Sequence, residues 1–330
     1  MHRWIATRLK IVPAAVFAAT RLIAQSPHAD TSSFVTMQGK DTVAIEQFVR
    51  TGNTISGAWI QHQGGVYVHD YTLLLGEDGW PTQYVMTLYT NRPHTFLLSV
   101  TYGSDSATRI VVRDSAAVTE RVATQKGYPV GALSVAGMAL ALERARRARV
   151  DSASIVLDRA EVRGASPVLP VRFFGRDSVR IGAATVGRVD GAGRLLALRE
   201  GPRKTLRTSP LPVAKLLAGF LTADSAARAA RVAIALDPAI LQRFVGEYSL
   251  NPRAVLSVTL DGDRLMIRVG QQPAARLLAS TPTTFFLEAT LGLTIEFESD
   301  AIGNVTALSL VQAGARQRAE KTKSRKNTNH

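Results

Sequence analysis

From Ser33 onward the chain breaks into short runs in which β-branched or aromatic residues mix with polar ones, separated by turns rich in Gly, Asn and Asp. A period of two describes strands with two different faces and does not describe an amphipathic helix. Ser33–Met37, Thr42–Thr51 and Thr54–Gln63 are separated by Gly39-Lys40-Asp41 and Thr51-Gly52-Asn53. Gln63-Gly64-Gly65 predicts a tight hairpin into Val66–Leu75. Gly76-Glu77-Asp78-Gly79 turns the chain into Thr82–Thr90, and Thr95–Tyr102, Thr108–Arg113 and Ala116–Thr124 continue the series. The expected product is an antiparallel meander.

One segment breaks the pattern. Leu133–Val150 reads LSVAGMALALERARRARV, apolar on nearly every side for three turns and then rich in Arg. A helix apolar all round must be buried all round, which a curved sheet wrapped about it achieves. Ser134 is its expected N-cap, and the final arginines suit the negative end of the helix dipole. Strands resume at Ser154–Val162, Val168–Phe174, Ser178–Val189 and Arg194–Glu200. Pro202, Pro210 and Pro212 mark a change of regime, and Thr222–Leu236 predicts a second helix, starting at Thr222 or Asp224.

Charge and composition narrow the function classes. The chain has no Cys, which excludes disulfides, Cys-ligated zinc, iron–sulfur clusters and a thiol nucleophile. The net charge of +14 invites a nucleic-acid reading. Yet Arg3, Arg8, Lys10 and Arg21 put +4 in residues 1–24, and residues 316–330 hold a net +5, so +5 remains for everything between. In that body only Arg144, Arg146, Arg147 and Arg149 lie close together in sequence, with no recognition motif around them. Nucleic acid is therefore not the expected partner. Residues 1–24 have the form of an export signal: basic Met1–Lys10, apolar Ile11–Ala19, then Ala24 before a polar stretch. The apolar run is too short for a membrane span, so no transmembrane anchor is expected. The expected location is periplasmic or extracellular.

After Leu236 the sequence runs LDPAILQRFVGEYSL, LSVTLDGDRLMIRV and IEFESDAIGNVTALSLVQAG. Short alternating strands joined by Asp261-Gly262-Asp263 and Asp300–Gly303 fit an up-and-down barrel. Leu241, Gly246, Tyr248, Asp261 to Leu265, Pro273, Ser280, Phe285, Phe286, Phe297, Asp300, Gly303, Val305 and Leu308 carry a resemblance. This segment resembles the small lipocalin-like accessory domain of S12-family serine peptidases, in the penicillin-binding protein and class C β-lactamase superfamily. The resemblance implies a fold-defining role for these residues, since in that family the nucleophile sits in another domain. The hydrolase chemistry itself needs an S-x-x-K, and no Ser in this chain has Lys three residues later. Tyr89-Thr90-Asn91 and His62-Gln63-Gly64 match the short Y-x-N and H-x-G motifs, but on a meander and in the wrong order. A G-x-S-x-G elbow is absent.

Two further clusters are candidate sites. Trp59, Tyr67, Tyr71, Trp80, Tyr84 and Tyr89 fall within one short region and suit a cleft for an apolar or glycan ligand; the alternative is the ordinary preference of aromatics for strands. If Gly64-Gly65 is a two-residue loop, His62 pairs with Tyr67, and His69 lies diagonally on the same face within reach of a shared metal. Asp70 then points to the other face. The alternative is His side chains lining a semi-polar sheet face.

The expected fold is mostly β with two helical segments. After a signal at 1–24, a curved antiparallel sheet at 30–206 packs on the 133–150 helix. A connector at 207–236 leads to a small lipocalin-like barrel at 237–315 and a loose basic tail at 316–330. The expected role is non-catalytic binding of an apolar or envelope-derived ligand, or of a protein partner, with no cofactor. A hydrolase or metal-assisted enzyme with an unrecognised site in the first sheet is the alternative.

Overall fold

The alternation along the first hundred residues becomes eight consecutive strands in a computed structural model of the protein: β1 (Asp30–Gln38), β2 (Asp41–Thr51), β3 (Thr54–His62), β4 (Val66–Leu75), β5 (Pro81–Thr90), β6 (Thr95–Tyr102), β7 (Ser106–Arg113) and β8 (Ala116–Ala123). The structure describes residues 30–322, apart from 91–94, 114–115, 124–126, 132–133, 158–166, 252–253, 271, 289 and 313–314. The export signal read at 1–24, Asn91 of the Y-x-N match and the end of the tail lie outside the described residues. The chain divides into two compact units that meet in sequence at Phe220 and Leu221.

In the first unit the meander is followed by β9 (Tyr128–Pro129), α1 (Ala136–Arg147), β10 (Ser152–Val156), β11 (Val168–Phe174), β12 (Ser178–Ile181), β13 (Thr185–Val189), β14 (Leu195–Glu200), β15 (Arg203–Thr208) and the first half of α2 (Val213–Ala229), which passes into the second unit at Leu221. All fifteen strands form one curved sheet, in the order β8 to β1, then β15 down to β9. Its centre is the antiparallel pairing of β1 with β15, Ser33 against Thr208 through Gln38 against Arg203. Among the described residues only β9 and its neighbour β10 run parallel.

The inner face packs on α1. Leu140, Leu142 and the alanines 136, 139 and 141 are buried with Phe34, Phe48, Ile55, Leu98, Ile155 and Leu195 in one core. Gly137 allows this approach, since a Cβ there would lie 2.0 Å from the Pro129 carbonyl oxygen. The Arg-rich end does not project loosely. Arg144 lies 4.0 Å over the Trp80 ring and Arg146 3.9 Å over Phe173, so their stems and planes cover aromatic surface.

The outer face packs on α2, where Val213 and Leu217 bury themselves against Ile45, Ile60, Val66 and Val68. This helix starts at Val213, nine residues before the start expected at Thr222. Thr222 and Asp224 are mid-helix, and Asp224 accepts from Arg228 one turn on, at 2.9 Å. Pro212, read only as a linker mark, stands just ahead of the first turn, where proline is tolerated. No helix among the described residues is long and apolar enough to cross a membrane.

The second unit holds α3 (Pro238–Gln242) and β16 (Gly246–Asn251), β17 (Ala254–Asp261), β18 (Arg264–Val269), β19 (Ala275–Ala279), β20 (Thr284–Leu287), β21 (Leu293–Ser299), β22 (Val305–Gln312) and β23 (Ala315–Lys321). The eight strands close into a barrel. Leu241 and Phe244, at and just after α3, enter its core with Tyr248, Phe285 and Phe297. The Tyr248 hydroxyl donates to the Phe244 carbonyl at 2.7 Å. Asp300 accepts from the Ile302 and Asn304 amides and shapes the last tight turn.

One expectation is overturned here. Residues 316–321 belong to β23, which pairs with both β22 and β16 and closes the barrel. Ala319 points inward and is fully buried, while Arg316 and Arg318 point outward to Glu296 and Glu298 at 2.5 and 2.7 Å. The strand is basic because its outer face is ion-paired, and one alanine is enough to fill its share of the core.

Candidate functional site

The start of α1 rests on a buried carboxylate from the sheet. Glu46, on β2 and 2% exposed, accepts from the Val135 amide at 2.5 Å and from the hydroxyls of Ser134 and Tyr71 at 2.8 Å each. Burial still pushes its pKa above the ordinary 4.5, outweighing the donors that favour the anion. Ser134 is therefore not the N-cap. Val135 occupies that position without a side-chain bond, and the capping acceptor comes from 89 residues upstream in the chain.

Beside this anchor lies a cavity of about 170 Å³, between the segment Val130–Met138 and the inner faces of β1 and β10 to β15. Val130, Met138, Ile155, Leu157, Leu169 and Leu198 make its walls apolar. Thr36 and Thr205 share a hydrogen bond at 2.9 Å across one side. Thr185, Glu200 and Arg203 sit together in one cross-strand row at the strand ends and give the cavity a polar end. A space of about 150 Å³ with apolar walls accommodates a benzene-sized guest. The arrangement thus fits a small ring or short aliphatic segment with a polar head.

The six aromatic residues expected to share a cleft are distributed more widely. Trp59, Tyr71 and Tyr84 are buried in the α1 core, and Trp80 packs on its edge against Tyr128. Tyr89 lies on the outer face with the α2 cluster. Tyr67 is half-buried in the inner-face row with Gln61 and Thr90. Of the six, Tyr71 borders a hollow of about 410 Å³ with Asp70, Ser56, Thr72 and Thr87, and none of the six lines the cavity beside α1. Trp59 nevertheless supports the cavity from behind, because its ring packs against Gly131, where a Cβ would come within 2.7 Å.

His62 and His69 do not meet. The hairpin loop is Gln63-Gly64-Gly65, three residues, so His62 pairs with Val66 and Tyr67 with Gln61. That slip of one residue sends His62 to the outer face, where it stacks on Phe220 at 4.7 Å. His69 stays inside, stacked on Trp59 at 3.8 Å, and burial lowers its pKa to about 3. Asp70 does face the other side, and burial raises its pKa to about 6. Among the described residues no group of three or more His, Asp or Glu is placed to hold a metal ion.

Residues 230–325 match a family model described as a domain of unknown function, DUF3471. A stretch of 91 residues is 34% identical to penicillin-binding protein 4* of Bacillus subtilis (strain 168). It covers 27% of this chain and 19% of that protein, so the chain spans about a fifth of the length of the relative it matches. The residues matched by the family model fall in the unit that has the expected barrel form.

The cavity had a faint sequence signal. Val130, Met138 and Leu157 lie on or near the apolar helix, but the other wall comes from Thr36 and from strands that run on to Thr205. Glu46 had none, because a single Glu in a β pattern reads as an outward residue.

Proposed function

We propose that the protein is an exported, non-catalytic binding protein that takes an apolar or envelope-derived small ligand in its first unit. The observation that carries this is the apolar cavity beside α1 with Glu200 and Arg203 at its polar end. Apolar walls with a few convergent polar groups are the usual form of a small-molecule site. Glu46 and Trp59 act as positioning residues, one fixing the Ser134–Val135 wall and the other backing Gly131. The second unit serves as an accessory barrel, a reading supported by its similarity to part of a penicillin-binding protein. That similarity also supports a location in the cell envelope, with residues 1–24 as a removable signal.

Native mass spectrometry of the gently purified mature chain tests the reading. The expected spectrum shows a co-purified small apolar molecule, lost in Met138→Trp, which fills the space. A clean apo mass for the wild-type chain overturns it.

A further inference from the structure

The outer face of β11 to β15 gathers charges that the sequence scatters over 33 residues. In register, Arg172 lies opposite Arg180, Arg180 opposite Val186, Val186 opposite Arg199 and Arg199 opposite Lys204. Arg188 stands one row away, between Ser178 and Ala197. All five cations are exposed, and no outward position of these strands carries Asp or Glu. Among the described residues none of the five is ion-paired. Adjacent strands are about 4.8 Å apart, so the row spans roughly 19 Å. Like charges directly opposite one another destabilise a sheet, and here two such pairs, Arg172–Arg180 and Arg199–Lys204, flank Val186.

Apolar surface is set into this array. Phe174 is 51% and Val186 47% exposed, and the Arg180 guanidinium lies 5.1 Å from the Phe174 ring centre. A shallow hollow of about 490 Å³ runs between these side chains.

We propose that this face docks on an anionic phospholipid surface. Four cations lie in one row across the strands and Arg188 in the next, with Phe174 and Val186 exposed among them, which suits a plane of headgroups above an apolar layer. A polynucleotide asks for several stacking rings along its track, and among the described residues Phe174 is the one aromatic side chain on this face. Basic side chains hold the headgroup phosphates while Phe174 and Val186 enter the interface between them. The proposal does not depend on the cavity or its ligand.

The test is co-sedimentation of the full chain with vesicles of phosphatidylglycerol and phosphatidylcholine in equal parts, against vesicles of phosphatidylcholine alone. The expected result is binding to the anionic vesicles only, abolished at about 1 M salt, where charges are screened beyond about 3 Å. Each cation near such a surface contributes roughly fivefold, so Arg180→Ser/Arg199→Ser should weaken binding by roughly twenty-five-fold. Both residues are exposed, and an unchanged circular dichroism spectrum confirms that the double variant folds. Lys323→Ser/Arg325→Ser/Lys326→Ser removes charge from the chain end and should retain most of the binding. Equal binding by wild type and double variant, equal binding to neutral vesicles, or loss confined to the chain-end variant overturns the proposal. So does tighter binding to a single-stranded oligonucleotide that depends on Arg180 and Arg199, which makes the partner a nucleic acid.

Discussion

The Tyr71 hydroxyl reaches across β3 to Glu46 on β2, donating at 2.8 Å over the top of Gly57. A Cβ at Gly57 would lie 2.6 Å from that hydroxyl and 2.7 Å from the Phe48 Cβ. An aromatic ring lying flat over a cross-strand glycine is thus what connects the middle of the sheet to the start of α1.

Gly57→Ala should cost about 3 kcal/mol, the upper end for overpacking, because neither the ring nor a Cβ can give way easily. Urea unfolding followed by tryptophan fluorescence measures it. The signal reports the first unit, since Trp59 and Trp80 lie there and residues 221–330 contain no Trp. A midpoint equal to that of wild type would show that Tyr71 is free to move aside.

Two buried groups should shape the pH profile from opposite ends. His69 has its pKa lowered from 6.5 to about 3, so the unfolded chain binds the proton more tightly. Its contribution is present above pH 6.5 and is lost as the pH falls from 6.5 towards 3. At pH 5 the loss is about 2 kcal/mol, from about 1.4 kcal/mol per pH unit. Neither ring nitrogen has a hydrogen-bond partner among the described residues, so His69→Phe keeps the stack on Trp59 and should remove that acid loss. Glu46 has its pKa raised, so its contribution is present below pH 4.5 and lost as the pH rises through its folded value. Glu46→Gln should flatten that side, because the Tyr71 and Ser134 hydroxyls can turn to accept from the amide. Parallel profiles for wild type and either variant across pH 4.5 to 8 would count against this assignment.

Ala319→Asp should open the barrel, at a cost of at least about 3 kcal/mol for an unpaired buried carboxylate. Arg318→Ala, on the outer face of the same strand, should cost less than about 1 kcal/mol. Hydrogen exchange read by mass spectrometry distinguishes the two. Amides of β16 and β22 should lose protection in the first variant only, and protected strands in Ala319→Asp would mean that β23 is dispensable.

Much of the fold was legible because local pattern and tertiary role agree. The eight strands of the meander alternate as they pair, and the apolar face-all-round helix sits inside the curve that it demands. What escaped the sequence was set by partners far along the chain. β23 carries a single inward signal, Ala319, among charges that look solvated until Glu296 and Glu298 are placed beside them. The His62–His69 pair failed on one loop residue, since a two-residue and a three-residue turn at Gln63–Gly65 read alike but assign opposite faces. The five cations of β11 to β15 look unremarkable at spacings of five to eleven residues, and only the register aligns them. Glu46 as the acceptor for α1 needed the fold itself.

The barrel closes by pairing its last strand with its first, and this has a consequence during synthesis. Until residues 315–321 leave the ribosome, β16 and β22 each present a bare edge, and seven strands wait without a complete cylinder. Such edges invite pairing with other chains. Glu296 and Glu298 on β21 are already in place at that stage, and their like charges set neighbouring nascent chains apart until β23 arrives to pair them.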